Sequence, residues 1–302
     1  MKKRILSCVL AVILCLGLFV AFPVTANAVG NSPKTLSARA GTQLAIKEDG
    51  SLWQWGHGSH FANLSQTGHT PKKFMDGVTT AGAGSVHVVA VKNDGSLWVW
   101  GINNSVFGNG ITDRVEGVTP GRYPYRDPVK IMDDVANISV GSAHTMAVKT
   151  DGSLWGWGWN YDGRVGNGTT EENILSPVLI MNDVVAVSAG DSHTMAIKTD
   201  GSLWVWGYNQ GGRIGYDSSV DYLTTPAKIM GDVIAVSASG GGGHSMAIKT
   251  DGSLWGWGWN RQGQLGTGTY ENTAVPIKIM ENVTAVETGD SHTIAVKTDG
   301  SL

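Results

Sequence analysis

Cysteine is almost missing from this chain of 302 residues: there are two, Cys8 and Cys15, and both stand within the first fifteen positions. Everything beyond them must be held by packing and hydrogen bonds, with no disulfide available. Charge is also scarce. Asp, Glu, Lys and Arg make up 16% of the residues, and 22 basic against 25 acidic side chains leave a formal charge of −3. That balance gives no basic surface of the kind that binding to a phosphate backbone requires, so nucleic acid is not an expected partner. Catalytic signatures are absent too. No Gly-x-Ser-x-Gly elbow, His-Glu-x-x-His pair or Cys/His metal spacing occurs. Glycine-rich stretches such as Gly211-Gly212-Arg213-Ile214-Gly215 and Gly240-Gly241-Gly242-Gly243 lack the Gly-Lys-Ser/Thr ending and the following helix of a phosphate loop. They are read as turns. No enzyme activity, cofactor or metal is expected.

Long hydrophobic runs are confined to one place. Lys2, Lys3 and Arg4 precede an apolar stretch from Ile5 to about Val24, followed by Ala26-Asn27-Ala28. This is the pattern of a secretory signal with an A-x-A cleavage site, which gives residues 1–28 as signal peptide and 29–302 as the mature domain. An uncleaved anchor is the alternative, since the run is nearly long enough to span a bilayer. Loss of the three basic residues takes the formal charge from −3 to −6. The expected location is therefore secreted or cell-surface, with no membrane contact beyond the signal segment.

What the chain has in excess is glycine and tryptophan: 42 Gly, about twice the usual ~7%, and 12 Trp against 7 Tyr and 5 Phe. An internal repeat accounts for both. Asp-Gly-Ser-Leu recurs at Asp49, Asp94, Asp151, Asp200, Asp251 and Asp299, at intervals of 45, 57, 49, 51 and 48, and Trp follows every copy but the last. Pro71, Pro128, Pro177, Pro226 and Pro276 keep step, each opening a short β-like run. Within residues 177–207 four such runs can be counted, Asp200-Gly201 suits a type I′ hairpin, and nothing has a helical period. Four short strands per unit of about 50 residues, with no helix between units, predict an all-β propeller of four-stranded blades.

The string Gly190-Asp191-Ser192-His193-Thr194-Met195-Ala196-Ile197-Lys198-Thr199-Asp200-Gly201-Ser202-Leu203-Trp204 closely resembles the regulator of chromosome condensation repeat. So does Trp257-Gly258-Trp259-Asn260-Arg261-Gln262-Gly263-Gln264-Leu265-Gly266. The resemblance runs from about Leu36 to Leu302, and it implies a β-propeller, usually of seven blades. The eukaryotic namesake of that family exchanges nucleotide on a small GTPase and binds chromatin, whereas exported bacterial members resemble binding proteins, among them a β-lactamase inhibitor. Light-sensing members carry a Gly-Trp-Arg-His-Thr motif that this chain lacks. A signal segment conflicts with a GTPase or chromatin role.

Residues 71–101, 128–158, 177–207 and 226–258 read as four full units, with partial units at 35–56 and 276–302, about six in all. Because Asp299-Gly300-Ser301-Leu302 stops where earlier copies continue with Trp, the chain is read as truncated at its C-terminus. A six-bladed ring with two incomplete blades is the alternative.

Ten tryptophans form W-x-W pairs, Trp53/Trp55, Trp98/Trp100, Trp155/Trp157, Trp204/Trp206 and Trp255/Trp257. Residues two apart on a strand share a face, so all ten are expected between blades. After W-x-W-G stand His57, Ile102, Trp159, Tyr208 and Trp259. Trp159, Tyr208 and Trp259 either line one rim as an aromatic platform for a partner or extend the buried stripe, with Gly156 and Gly256 making room opposite. Histidine recurs at His87, His144, His193, His244 and His292, with Thr42 in the first unit, and its ring nitrogens are expected to satisfy backbone groups near the blade core. The connection from Ile102 to Asp127 is the longest and holds Arg122, Tyr123, Tyr125 and Arg126, types enriched at binding hot spots. The function expected is a non-enzymatic interaction module that binds a protein or cell-surface polymer through a rim and its loops. The alternative is the targeting part of a larger secreted enzyme or surface-anchored protein.

Overall fold

A computed structural model describes residues 35–56, 68–112, 125–216 and 219–302. The expected signal segment and His57 lie outside the described residues. Within them the chain forms 22 strands in six antiparallel sheets. Sheet 1 holds β1 (Thr35–Arg39), β2 (Thr42–Ile46), β3 (Leu52–Gly56) and β4 (Gly68–Met75); sheet 2 holds β5 (Val78–Ala83), β6 (His87–Lys92), β7 (Leu97–Ile102) and β8 (Tyr125–Met132). Sheet 3 is β9 (Val135–Val140), β10 (His144–Lys149), β11 (Leu154–Trp159) and β12 (Asn173–Met181). Sheet 4 is β13 (Val184–Ala189), β14 (His193–Lys198), β15 (Leu203–Tyr208) and β16 (Tyr222–Met230). Sheet 5 is β17 (Val233–Ala238), β18 (His244–Lys249), β19 (Leu254–Gly258) and β20 (Thr273–Met280), and sheet 6 pairs β21 (Val283–Thr288) with β22 (Thr293–Lys297). The first strands of all six sheets surround a channel of about 890 Å³. This is a β-propeller.

The proline run belongs to the preceding sheet, not to the following one. Each proline sits inside an outermost strand, where no further strand needs its missing N–H, and beside a break in pairing register, as between Gly156 and Gly158 opposite Pro177. Residues 35–56 therefore gain β4 and form a complete sheet, and the segment that begins near Pro276 gives β20 to sheet 5. The count becomes five complete sheets and one two-stranded sheet, in place of four full units and two partial ones.

From sheet 1 to sheet 5, each neighbouring pair of sheets is joined by one indole. Trp100, Trp157, Trp206 and Trp257 have no exposed surface, and each packs on the sheet before its own: Trp100 on Leu44, Ile46 and Leu52, Trp206 on Met146, Val148 and Leu154. Burying one indole removes about 150–250 Å² from water, a gross gain of roughly 4–6 kcal/mol as an upper bound. Room for the ring comes from a loop glycine of the preceding sheet. A Cβ at Gly108, Gly166 or Gly215 would lie 2.7, 2.6 and 2.8 Å from the indoles of Trp157, Trp206 and Trp257. The glycine-rich loops are turns, as expected, and also seats for tryptophan.

The first tryptophan of each pair behaves differently from its partner. Trp53, Trp98, Trp155, Trp204 and Trp255 are half-buried near the Asp-Gly turns. Each donates Nε1–H to the turn serine, Ser51, Ser96, Ser153, Ser202 or Ser253, at 2.8–2.9 Å. A lysine of the neighbouring strand lies over each ring, from 4.0 Å for Lys47 on Trp53 to 5.9 Å for Lys149 on Trp155. The turn itself is not type I′. Only its glycine has positive φ, +75° at Gly201, and Gly201 N–H bonds Lys198 C=O at 2.9 Å, as in a type I turn closed by a glycine bulge. Asp200 Oδ1 accepts from Ser202 N–H and Oγ–H at 2.8 and 2.5 Å, which fixes the bulge and holds the carboxyl below the usual carboxylate range.

Gly166→Ala places a Cβ at φ +89° and against Trp206, and it is expected to cost about 2–4 kcal/mol. Gly231→Ala, whose Cβ would meet nothing within 4 Å, is expected to stay within about 0.5 kcal/mol of the parent. Urea unfolding of both variants checks the pair; equal losses would refute the seat.

Candidate functional site

In every complete sheet the first-to-second and third-to-fourth strand loops leave on the same side, opposite the Asp-Gly turns. This long-loop face carries the residues singled out after W-x-W-G. Gly158 and Gly207 (φ +104° and +99°) turn β11 and β15 so that Trp159 and Tyr208 end them, and Trp259 follows β19 after Gly258 (φ +101°). All three are half-buried. Trp159 donates Nε1–H to Asn104 C=O of the preceding sheet's loop at 2.9 Å and meets Tyr161 edge-on at 5.8 Å. Trp259 lies on Gly211, where a Cβ would come within 1.7 Å of Nε1. Gly156 and Gly256 make room for Met146 and Met246, together with Val165 and Leu265, not for these aromatics.

Tyr208 and Trp259 meet through Arg213. Its guanidinium lies 4.9 Å from the first ring and 5.5 Å from the second, and it donates to Gln210 C=O at 3.1 Å and Ser192 Oγ at 2.8 Å. The side chain is buried, and burial lowers its pKa. Trp159 stays apart from this stack. Trp159 and Trp259 are thus wedges against the preceding sheet's loop, while Tyr208 packs on Gln210 and Arg213 of its own connection.

Beyond them the same loops expose side chains that the repeat pattern did not single out: Ile111, Tyr161, Tyr216, Tyr222 and Tyr270, the last at 72%. Their signal was available in the sequence. Each tyrosine falls in or at the end of a third-to-fourth strand connection, but at a different offset from W-x-W-G, so self-comparison passed over it.

The long connection divides. Arg122 and Tyr123 lie outside the described residues, while Tyr125 and Arg126 start β8, paired with Ile102 and Gly101. Those two are strand residues, not loop residues. Val106 and Phe107, in the same connection, have no exposed surface and pack with Trp157. That part of the connection is core, in the place that Val165, Ile214 and Leu265 hold in the other copies.

Four of the five recurring histidines bond to the next sheet, while His292 on sheet 6 is exposed. Nε2 of His87, His144, His193 and His244 lies 2.9–3.0 Å from the hydroxyl of Thr145, Thr194, Ser245 and Thr293. The last three hydroxyls donate in turn to Arg164, Arg213 and Gln264 C=O at 2.7–2.8 Å. A hydroxyl has one proton, so in those pairs it accepts from the imidazole and Nε2 carries the hydrogen. In those three pairs Nε2 reaches backbone through the neighbour's hydroxyl, and the His244 ring also bonds the backbone of Gly242. Among the described residues no group of three or more His, Cys, Asp or Glu is placed to hold a metal ion.

Serines carry the same linkage around the channel. Ser139, Ser188 and Ser237 accept the N–H of Ala189, Ala238 and Thr288 from the next sheet at 2.9–3.0 Å. Sheet 6 has Glu287 at this position, half-buried on the channel wall, with its carboxyl pushed up to about 7 by burial.

With this geometry in view, comparison with known proteins is decisive at the family level. Residues 20–295 match the model of the RCC1-like domain. The chain belongs to that family. It is 29% identical over 174 residues to the ultraviolet-B receptor UVR8 of Arabidopsis thaliana, a match that spans 56% of this chain and 39% of the receptor. Among solved structures, Prp20p of Saccharomyces cerevisiae aligns with a TM-score of 0.75 at 20% identity, covering 89% of this chain and 70% of that one. Human WBSCR16 aligns with 0.72 at 20% identity, covering 86% and 71%. Prp20p is described with its binding properties to Gsp1p and histones.

The buried imidazoles make stability depend on pH. Burial lowers His193 to about 3 and His244 to about 4 from an unfolded value of 6.5. Their contribution is complete above about pH 6.5 and is lost as pH falls toward 4, because the unfolded chain binds the protons. His193→Gln should flatten the slope of unfolding free energy between pH 7 and 4.5 while lowering its value at pH 7; an unchanged slope would contradict the assignment.

Proposed function

We propose that this propeller is a secreted or cell-surface interaction module without catalytic activity, binding a protein or surface polymer on its long-loop face. The observation that carries the reading is the set of tyrosines that this face exposes, Tyr161, Tyr222 and Tyr270, on loops anchored by half-buried Trp159, Tyr208, Trp259 and Arg213. Tyrosine combines a large apolar body with a polar tip and loses little entropy on contact, which suits it to recognition. The rigid wedge beneath each loop keeps that loss small. Protein binding by relatives supports the same reading, since Prp20p is described with Gsp1p and histones and also bound to Kap60. The basic n-region, apolar run and Ala26-Asn27-Ala28 support export. The opposite face is a weaker candidate because its tryptophans are covered by lysines and bonded to serines.

Two measurements check the proposal. Expression of the full gene in its native host, followed by N-terminal sequencing, should find extracellular or surface protein beginning at Val29. Tyr161→Ala, Tyr222→Ala and Tyr270→Ala together should reduce capture of surface polymers or proteins from that host by at least about tenfold, roughly 1.4 kcal/mol, with the melting temperature unchanged. Undiminished capture would move the binding site elsewhere, and protein retained in the cytoplasm would end the export reading.

A further inference from the structure

The third-to-fourth strand loops of sheets 3, 4 and 5 are each laced by one buried asparagine. Asn160, Asn209 and Asn260 accept at Oδ1 the N–H of Val165, Ile214 and Leu265 at 3.0, 3.4 and 2.9 Å. Through Nδ2 they donate to the carbonyls of Thr169, Val220 and Thr269 at 2.9–3.0 Å. Their own N–H closes the loop on its last residue: Glu172 C=O at 3.0 Å, Asp221 C=O at 2.7 Å and Asn272 Oδ1 at 2.8 Å. A buried carboxamide bonded at each group stiffens the loop around it. Side chains that leave these loops are therefore held in place before any partner arrives.

Charge divides between the two faces of the propeller. Every described lysine ends or follows a second strand or lies in an outermost strand, and none stands in a loop of the long-loop face. On the turn side those lysines meet acids, as Lys73 meets Asp76 and Lys130 meets Asp133 at 2.7 Å, so charge there is balanced locally. The long-loop face is different. Glu171, Glu172, Asp221 and Glu271 are exposed, with Asp221 adjoining Tyr222 and Glu271 adjoining Tyr270. Among the described residues no ion pair holds any of these four acids. Two arginines of the same loops do not offset them. Arg164 is tied to Asp162 at 2.6 Å and to Asp191 C=O at 2.8 Å, and Arg213 is buried between two rings. Only Arg261 is an exposed base in these three loops.

We propose that the partner of this face is a protein that presents lysine and arginine side chains around an apolar centre, an inference that rests on the long-loop face being the binding surface. The tyrosines cover the apolar centre. The acids have no ion pair to break, so they meet basic groups at the rim without loss elsewhere, and their shared sign draws such a partner in before contact. An arginine also lies well on a tyrosine ring, as Arg213 lies on Tyr208 within this protein. A surface polymer rich in phosphate or carboxylate meets like charge here, and a neutral polymer draws nothing from the acids.

The test pans a random peptide library displayed on phage against the full chain, then measures the strongest peptide as a soluble synthetic copy. Enriched peptides should carry net positive charge. Binding should weaken by at least about tenfold when Glu171→Gln, Glu172→Gln, Asp221→Asn and Glu271→Gln are combined, with the melting temperature unchanged. It should weaken similarly as salt rises from about 0.05 to 0.5 M, which screens the acids. Tyr161→Ala, Tyr222→Ala and Tyr270→Ala together should abolish it. No enrichment of basic sequences over the starting library, or peptides that need the tyrosines but ignore the amide variant, overturns the basic partner and leaves the face standing. Peptides held equally by the alanine variant overturn the face and the inference with it. A neutral glucan retained through the tyrosines in place of any peptide overturns the inference in favour of a polymer.

Discussion

An indole laid flat on the neighbouring sheet is the contact on which this molecule depends. A twisted four-stranded sheet has two faces to cover, and a sheet of short strands cannot cover either by itself. Here one face carries Trp100, Trp157, Trp206 or Trp257, and the facing sheet supplies a floor of apolar side chains, with a bare glycine against Trp157, Trp206 and Trp257 and the ring of Phe74 against Trp100. The other requirements follow from that contact. The loop glycine must adopt positive φ, the loop must return across the ring, and the strand that bears the tryptophan must be third in its sheet.

Polar linkages add direction to this packing. The imidazole of one sheet donates to a hydroxyl of the next, which donates back to a loop carbonyl of the first. Such a circuit is fully buried, and it works only with each member in its place, so it fixes the offset between sheets more tightly than apolar contact does. It also explains why the histidines do not resemble a metal site. Nε2 of His87, His144, His193 and His244 is already committed to a neighbour's hydroxyl, and each of these rings lies against a glycine of its own sheet.

Much of the architecture could be read from the chain. Asp-Gly-Ser-Leu-Trp fixed the period, the absence of helical spacing fixed the class, and repeated Gly/Trp strings led to the family. Sheet membership was harder. The proline run looked like a beginning because Pro opens the apolar pattern, yet the strand starts several residues earlier, in sequence without alternation, as at Asn173-Ile174-Leu175-Ser176 before Pro177. The W-x-W pair hid a second distinction. Both rings share a face, but only depth along the strand decides that Trp206 is sealed while Trp204 lies under Lys198. At the candidate site, Trp159, Tyr208 and Trp259 were visible through their common position, whereas Arg213 and the exposed tyrosines were not, because their roles arise between loops of different sheets.

The offset between sequence repeat and sheet has a further meaning. Because each sheet takes its outermost strand from the start of the next proline-led unit, a unit of about 50 residues copied or deleted in frame adds or removes one whole sheet and leaves no strand unpaired. Every cut through the gene at equivalent codons is silent for hydrogen bonding. Ring size is then a heritable integer that can change by one in a single recombination event.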